Sequence, residues 1–307
     1  MLKRQFTNFR QIMQEVEKLE PIPVAVVEAI DREVLEAAKE ATDQNLIIPL
    51  LIGSEVKIRK LMKEMNWNSD NIQIFAAETD EEAARIGADL VAKHQARAIM
   101  KGHLHTDVLL HPILTLLPHR KRLSHIFVAE LESYPKLLFI TDGAINITPD
   151  LKTKAAILQN AADLLHTLGN NAPKAAALSA VEVVNPDIPS TTDAACLSKM
   201  AERGQIRGAI VDGPLAFDNA ISVKSAQIKG IHSPVSGDVD ILLVPDLVSG
   251  NILAKDLEYL AGAILGGIVV GAEVPIILTS RADPPEARLV STAVAAMMFH
   301  RSNIEAP

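Results

Sequence analysis

The chain has 307 residues, of which 48% are hydrophobic but only 3% aromatic, and a formal net charge of −8. That length allows two domains of ordinary size or one large α/β unit, with an aliphatic core of the kind that suits parallel sheets covered by helices. The negative balance argues against nucleic-acid binding. The single cysteine, Cys196, leaves no internal disulfide framework or thiolate metal cluster, and no apolar run is long enough for a bilayer span. The opening MLKRQFTNFRQIM lacks a secretory apolar core. A soluble protein in a reducing, cytoplasmic setting is therefore expected.

Apolar runs at 24–27, 47–52, 72–77 and 98–101 read as strands. Between them, EVLEAAKEA follows Asp31 and places Val34, Leu35, Ala38 and Ala41 on one helical face. Ser54 is positioned to cap EVKIRKLMKEM, and Thr79 with Glu82 forms a capping-box pattern before AARIGADLVAKHQ. Strands are expected again at 126–130 and 137–141, separated by Ser133, Tyr134 and Pro135. Thr148 and Pro149 open a long helical stretch that Gly169 ends. Strands at 174–180, 209–212 and 240–244 alternate with helices around 193–203 and 252–265. The run 261–270 is apolar and glycine-rich for a surface, as a contact buried between subunits would be. A last strand, 274–278, leads into Thr279, Ser280, Arg281, Ala282 and Asp283. Repeated βα units imply parallel sheets with right-handed crossovers.

Five strand-end loops carry unusual polar residues: 101–107 (KGHLHTD), 141–146 (TDGAIN), 211–215 (VDGPL), 244–251 (VPDLVSGN) with Lys255 following, and the Ser280-Arg281 loop. In open α/β sheets ligands bind at such carboxyl ends, and several loops of this kind point to one cleft. A helix starting near Thr106 could offer backbone N–H groups to an anion, although the spacing is not that of a Walker loop. His103 and His105 lack a matching carboxylate spacing for a metal, and no metal site is expected. Arg281 with Ser280 suits a phosphate, because the planar guanidinium pairs two oxygens at once. The two Asp-Gly pairs are equally compatible with plain turns. Cys196, in AACLSKM, reads as a packed residue rather than a nucleophile.

The segments KGHLHTD, ITDGAINITPD, VDGPLAFDNAIS, SGDVDILLVPDLVSGNILAK and TSRAD, in that order, resemble the phosphate acetyl/butyryltransferase family. GPLAFDNAIS and VPDLVSGNI are the most specific, and they look closer to the butyryl branch. The resemblance implies two parallel-sheet α/β domains with an interdomain cleft, similar to isocitrate and isopropylmalate dehydrogenases. The domains expected are 1–137 with 268–307, and 138–267. It implies transfer of a short acyl group between coenzyme A and inorganic phosphate, by direct thiol attack on the acyl phosphate in a ternary complex. Coenzyme A is then a substrate, no cofactor is permanently bound, and the partners are acyl-CoA, inorganic phosphate and acyl phosphate. The expected assembly is a homodimer or a multiple of dimers. Ser280 and Arg281 match the family's Ser-Arg pair on phosphate and carbonyl. For the thiol base, Asp283 lies nearer that pair and Glu286 nearer the expected spacing. Lys101, Gly102, His103, Thr106, Asp246, Gly250, Asn251 and Lys255 are expected to bind substrate. Where many members carry an Arg after the Lys-Gly loop, this chain has His111. Two alternatives compete: an inactive coenzyme A-binding or sensing protein, and a metal- and NAD-dependent hydroxyacid dehydrogenase.

Overall fold

The computed structural model describes residues 6–68, 70–117, 121–278 and 285–302. In chain order the elements are α1 (Phe9–Val16), β1 (Ile22–Val27), α2 (Arg32–Asp43), β2 (Ile47–Gly53), α3 (Glu55–Glu64), β3 (Gln73–Ala76), α4 (Asp80–Ala92) and β4 (Ala98–Lys101). Then come α5 (Thr106–Leu116), β5 (Ser124–Glu130), β6 (Leu138–Thr141), α6 (Leu151–Thr167), β7 (Lys174–Leu178), α7 (Pro189–Glu202) and β8 (Ile210–Leu215). The chain ends with α8 (Phe217–Ile221), α9 (Val223–Ile228), β9 (Ile241–Leu243), α10 (Leu247–Tyr259), β10 (Ile264–Val270), β11 (Ile276–Ile277) and α11 (Pro285–Ser302). The α/β class expected from the alternation holds. The chain forms two compact units, Arg10–Lys121 with Gly266–Pro307, and Met1–Phe9 with Arg122–Leu265.

In the first of these, β3, β2, β1 and β4 lie side by side in that order, all parallel, and β11 adds parallel to β4. Val24 to Val27 are fully buried, as a strand covered on both faces requires. Leu35, Ala38 and Ala41 bury one face of α2. Thr79 accepts from the N–H of Glu82 at 3.2 Å, while the Glu82 carboxylate takes the N–H of Glu78 at 2.9 Å, so the box closes one residue earlier than expected. Ser54 and Asp31 occupy N-cap positions without a side-chain cap bond. The segment 261–270, expected as a surface, is largely β10, and Leu265 to Val270 are buried. β10 pairs antiparallel with β11, Val269 opposite Ile276, so its apolar side chains serve a core rather than an interface.

In the second unit the order is β5, β6, β9, β7, β8. β6, β9, β7 and β8 are parallel, but β5 and β6 are antiparallel, Ile126 opposite Thr141. The loop around Ser133 to Pro135 therefore joins two paired strands, with the Tyr134 hydroxyl on the Val239 carbonyl at 2.7 Å. Asp150, not Pro149, opens α6: its carboxylate accepts from the N–H of Thr153 at 2.7 Å. Gly169 ends the helix at φ +93°. Ile140, Leu215, Val235, Leu242 and Val244 are among the buried core of this unit. Among the described residues, no helix is long and apolar enough to cross a membrane.

Candidate active site

The order β3-β2-β1-β4 creates a topological switch point. From β1 the chain steps to β2 and β3 on one side, and β4 returns to the other side of β1. Loops diverge at such a point and leave a crevice at the strand carboxyl ends. Here Glu28 directly follows β1, and Gly102 and His103 directly follow β4. The Gly102 N–H donates to the Val27 carbonyl at 2.8 Å, and the His103 N–H to the Glu28 carbonyl at 2.9 Å. A Cβ on Gly102 would lie 2.3 Å from the Glu28 carbonyl oxygen, so only glycine permits this approach. Lys101 closes β4 and Thr106 opens α5.

Three acidic and imidazole groups gather at this edge. His103 Nδ1 donates to the Asp31 carboxylate. Glu28 holds a left-handed φ of 57° and is only 6% exposed. Its Oε2 has no hydrogen-bond partner among the described residues. Burial raises the Glu28 carboxyl above its ordinary range, reinforced by Asp80 and Asp31 and opposed by Lys57 and His103. Glu28 and Asp31 were not singled out from the sequence. The signal was present, since VVEAID is another polar step off a buried strand.

His111 is on α5. It lines a groove along α4 and α5 with Arg85, Asp107, Val108, Pro112 and Leu116. Arg85 thus provides that groove with a guanidinium from α4, a contribution that sequence spacing along α5 could not reveal.

Ser280, Arg281 and Asp283 lie outside the described residues, but the chain on either side of them is described. β11 runs parallel to β4 with Ile277 opposite Met100, so Leu278 leaves the sheet at the edge where Lys101 and Gly102 lie. On the far side, Arg288 of α11 donates to the Glu33 carbonyl of α2 at 2.6 Å. Both flanks of the segment thus border the β1/β4 switch point. Glu286 is an exposed residue in the first turn of α11.

The second unit has its own strand-end cluster. Asp142, directly after β6, is buried and accepts from the N–H groups of Ala144, Ile145 and Asn146 at 2.9, 3.0 and 3.3 Å. The Asn146 amide adds a fourth donor at 2.6 Å. Arg122 in turn donates to Asn146 Oδ1 at 2.8 Å. Asp246 caps α10 by accepting from the Ser249 N–H at 2.8 Å. Gly250 packs on Gly143, where an added Cβ would lie 3.0 Å from the Gly143 Cα, and Asn251 donates to the Gly143 carbonyl at 3.3 Å. The structure therefore brings Asp246, Gly250 and Asn251 to the Asp142–Gly143 turn. Lys255 lies a turn further along, on Glu258 at 2.6 Å and 5.6 Å from the Tyr259 ring centre. The 211–215 segment is not a loop: Asp212 and Gly213 lie within β8, where Gly213 lets the strand approach the Ala177 carbonyl. Cys196 is half-buried on α7. Among the described residues, no group of three or more His, Cys, Asp or Glu side chains could hold a metal ion.

The family model described as "Phosphate acetyl/butaryl transferase" matches residues 8–86 and 76–296. A phosphate acetyltransferase of Rickettsia prowazekii is 48% identical over 299 residues, covering 96% of this chain and 85% of that protein. A phosphate butyryltransferase of Clostridium beijerinckii is 38% identical over 298 residues, covering 96% of this chain and 99% of that protein. Among solved structures, a branched-chain phosphotransacylase from Enterococcus faecalis V583 superposes with a TM-score of 0.79 at 31% identity, covering 91% of this chain and 99% of that one. The chain belongs to the phosphate acetyl/butyryltransferase family.

Proposed function

We propose that the protein is a phosphate acyltransferase that moves a short acyl group between coenzyme A and inorganic phosphate. The observation that carries this reading is the family match, which runs through both units and spans each strand-end loop described above. Coenzyme A acts as a substrate, with acyl-CoA, inorganic phosphate and acyl phosphate as the reaction partners and no cofactor bound permanently. A cytoplasmic homodimer is the expected form. Val248, Ile252 and Tyr259 leave one face of α10 apolar and exposed, which supports burial against a second copy.

Ser280 and Arg281 hold the phosphate and the acyl carbonyl. The carbonyl oxygen becomes negative in the tetrahedral state, and a fixed guanidinium stabilises that charge. Lys101, Gly102, His103 and Thr106 at the β4 edge, with Asp246, Gly250, Asn251 and Lys255 around α10, bind the remainder of the substrates. His111 contributes from the α4/α5 groove. The thiol of coenzyme A has a reference pKa of about 8.5 and is a few per cent ionised near neutral pH, so attack calls for a base. Asp283 and Glu286 are the carboxylates of the Ser-Arg segment available for it.

The test is turnover with acyl phosphate and coenzyme A, across acetyl, propionyl, butyryl and isobutyryl donors. A protein that binds coenzyme A but forms no thioester with any donor would be the inactive sensor instead. Arg281→Ala is expected to lower kcat by about 100-fold or more. Arg281→Lys should not restore it, because lysine lacks the planar fork. Near-normal kcat in both variants would remove the chemistry from this segment.

A further inference from the structure

We propose that Arg85 anchors the phosphate-bearing nucleotide end of coenzyme A in the groove between α4 and α5. This rests on the phosphate acyltransferase reading and adds to it a binding residue from α4. The groove has a volume of about 590 Å³, within the range of small-molecule sites. Buried Pro112 and half-buried Val108 give it apolar surface, and exposed Leu116 extends that surface.

The two helices repeat one pattern. Each carries a carboxylate at its second residue, Glu81 or Asp107, and a basic side chain four positions later, Arg85 or His111. That spacing ordinarily closes an ion pair on a helix surface. Glu55 and Arg59 of α3 have the same spacing and order, and they close it at 2.7 Å. Arg85 closes none: among the described residues it makes no hydrogen bond and no ion pair. Its guanidinium therefore presents five N–H donors to the groove without an acceptor. Phosphate is the acceptor that matches the planar fork. Glu81 and Asp107 sit in the first helical turns, where they offset the macrodipoles. The guanidinium, rather than a helix start, is thus the anion site.

Position points to the same ligand. α5 begins at Thr106, just after the Lys101–His103 stretch assigned to substrate, and α4 begins after the carboxyl end of β3, on the same edge of the parallel strands. From Asp107 to Leu116 the groove follows α5 for about 14 Å. Inorganic phosphate and a short acyl phosphate are compact and need no such length. Coenzyme A does, because its thiol and its phosphorylated adenosine lie at opposite ends of a long arm. With the thiol at the β4 edge, the nucleotide end lies along α4 and α5. There its phosphates meet Arg85, and the adenine ring meets Val108, Pro112 and Leu116.

The experiment compares wild type, Arg85→Gln, Arg85→Lys and Thr115→Glu in the full chain. Arg59→Gln serves as a charge control and thermal unfolding as a check on folding. KM is measured for acyl phosphate, for coenzyme A, and for 4′-phosphopantetheine, which keeps the thiol arm but lacks the nucleotide. Calorimetry gives the Kd of coenzyme A without turnover. Arg85→Gln is expected to raise KM and Kd for coenzyme A by about 10-fold or more, the scale of a lost hydrogen bond to a charged group. Its kcat and its KM for acyl phosphate should stay near wild type. With 4′-phosphopantetheine the two proteins should be alike. Arg85→Lys should recover part of the affinity, as a point charge without the fork. Thr115→Glu adds a carboxylate to the α5 wall of the groove and should raise the same KM, a readout that holds even where Arg85→Gln fails to fold. Arg59→Gln should change nothing. The proposal is overturned if folded Arg85→Gln keeps wild-type affinity for coenzyme A, or loses kcat with KM unchanged. It is equally overturned if the penalty persists with 4′-phosphopantetheine or appears in Arg59→Gln. A wild type that binds coenzyme A but transfers no acyl group would instead sink the acyltransferase reading, while the calorimetric comparison still decides the role of Arg85.

Discussion

Glu28 and Asp142 occupy the same place in their respective units, the first residue past a buried strand, and their carboxylates end in opposite conditions. Asp142 accepts three backbone N–H groups and the Asn146 amide, and that side chain is itself held by Arg122 and the Leu123 carbonyl. Glu28 is almost as buried, yet its Oε2 finds no partner among the described residues. Its neighbours are a second carboxylate, Asp31, and the imidazole that Asp31 orients. Burying a charged group without partners is unfavourable, so a fold under selection for stability alone would not keep it. The β6 end is an internally satisfied support for the Gly250–Asn251 backbone. The β1/β4 end leaves the Glu28 carboxylate without such satisfaction among the described residues.

The largest effect expected from this contrast is on Asp142. Asp142→Ala leaves several donors of one turn without their acceptor, and we expect a loss of about 3–5 kcal/mol in urea unfolding. Intact stability with lost turnover would instead make Asp142 a substrate contact, and the contrast would collapse. Next comes the pair of close-packed glycines. A Cβ on Gly102 meets two backbone carbonyls, at 2.3 and 2.4 Å, that have nowhere to go, whereas one on Gly250 first meets a Val244 methyl at 2.7 Å. Overpacking of this kind typically costs about 1–3 kcal/mol. Gly102→Ala should fall at the top of that range and lower kcat, because it displaces His103. Gly250→Ala should be milder on both counts; equal effects would show that the two loops are equally rigid.

The smallest effect is the pH signature of Glu28. Its folded carboxyl is raised above the ordinary value of 4.5 by burial first and then by Asp80. A group raised in the folded state contributes stability that is fully present below the unfolded pKa and is lost as pH rises through the folded one. Relative to Glu28→Gln, the wild type should therefore lose stability as pH climbs from about 4.5. Paired melts of the two proteins between pH 4 and 8 test this, and a flat difference would mean that Glu28 is solvated or partnered after all.

The sequence located both kinds of edge through one rule, polar residues placed directly after apolar strand runs. It identified KGHLH, TDGAIN and VPDLVSGN, and it passed over VVEAID because that segment also reads as an ordinary entry to the helix that follows Asp31. Asp31 sits at the cap position, but its carboxylate is committed to His103, 72 residues away. A pairing over that separation leaves no local periodic trace. The same limit explains 261–270. Its apolar, glycine-rich composition is common to an interface and a buried strand, and only the antiparallel pairing of β10 with β11 distinguishes them.

By itself, the sequence determined the α/β alternation, because strand and helix periods and capping residues are local. It also determined the aliphatic core and, through the loop motifs, the family. Only the tertiary structure decided the antiparallel β5/β6 and β10/β11 pairs and the placement of Asp212 and Gly213 within a strand. It alone distinguished a satisfied carboxylate from an unsatisfied one, because hydrogen-bond partners and desolvation come from chain segments far apart in sequence, brought together only when the sheet closes.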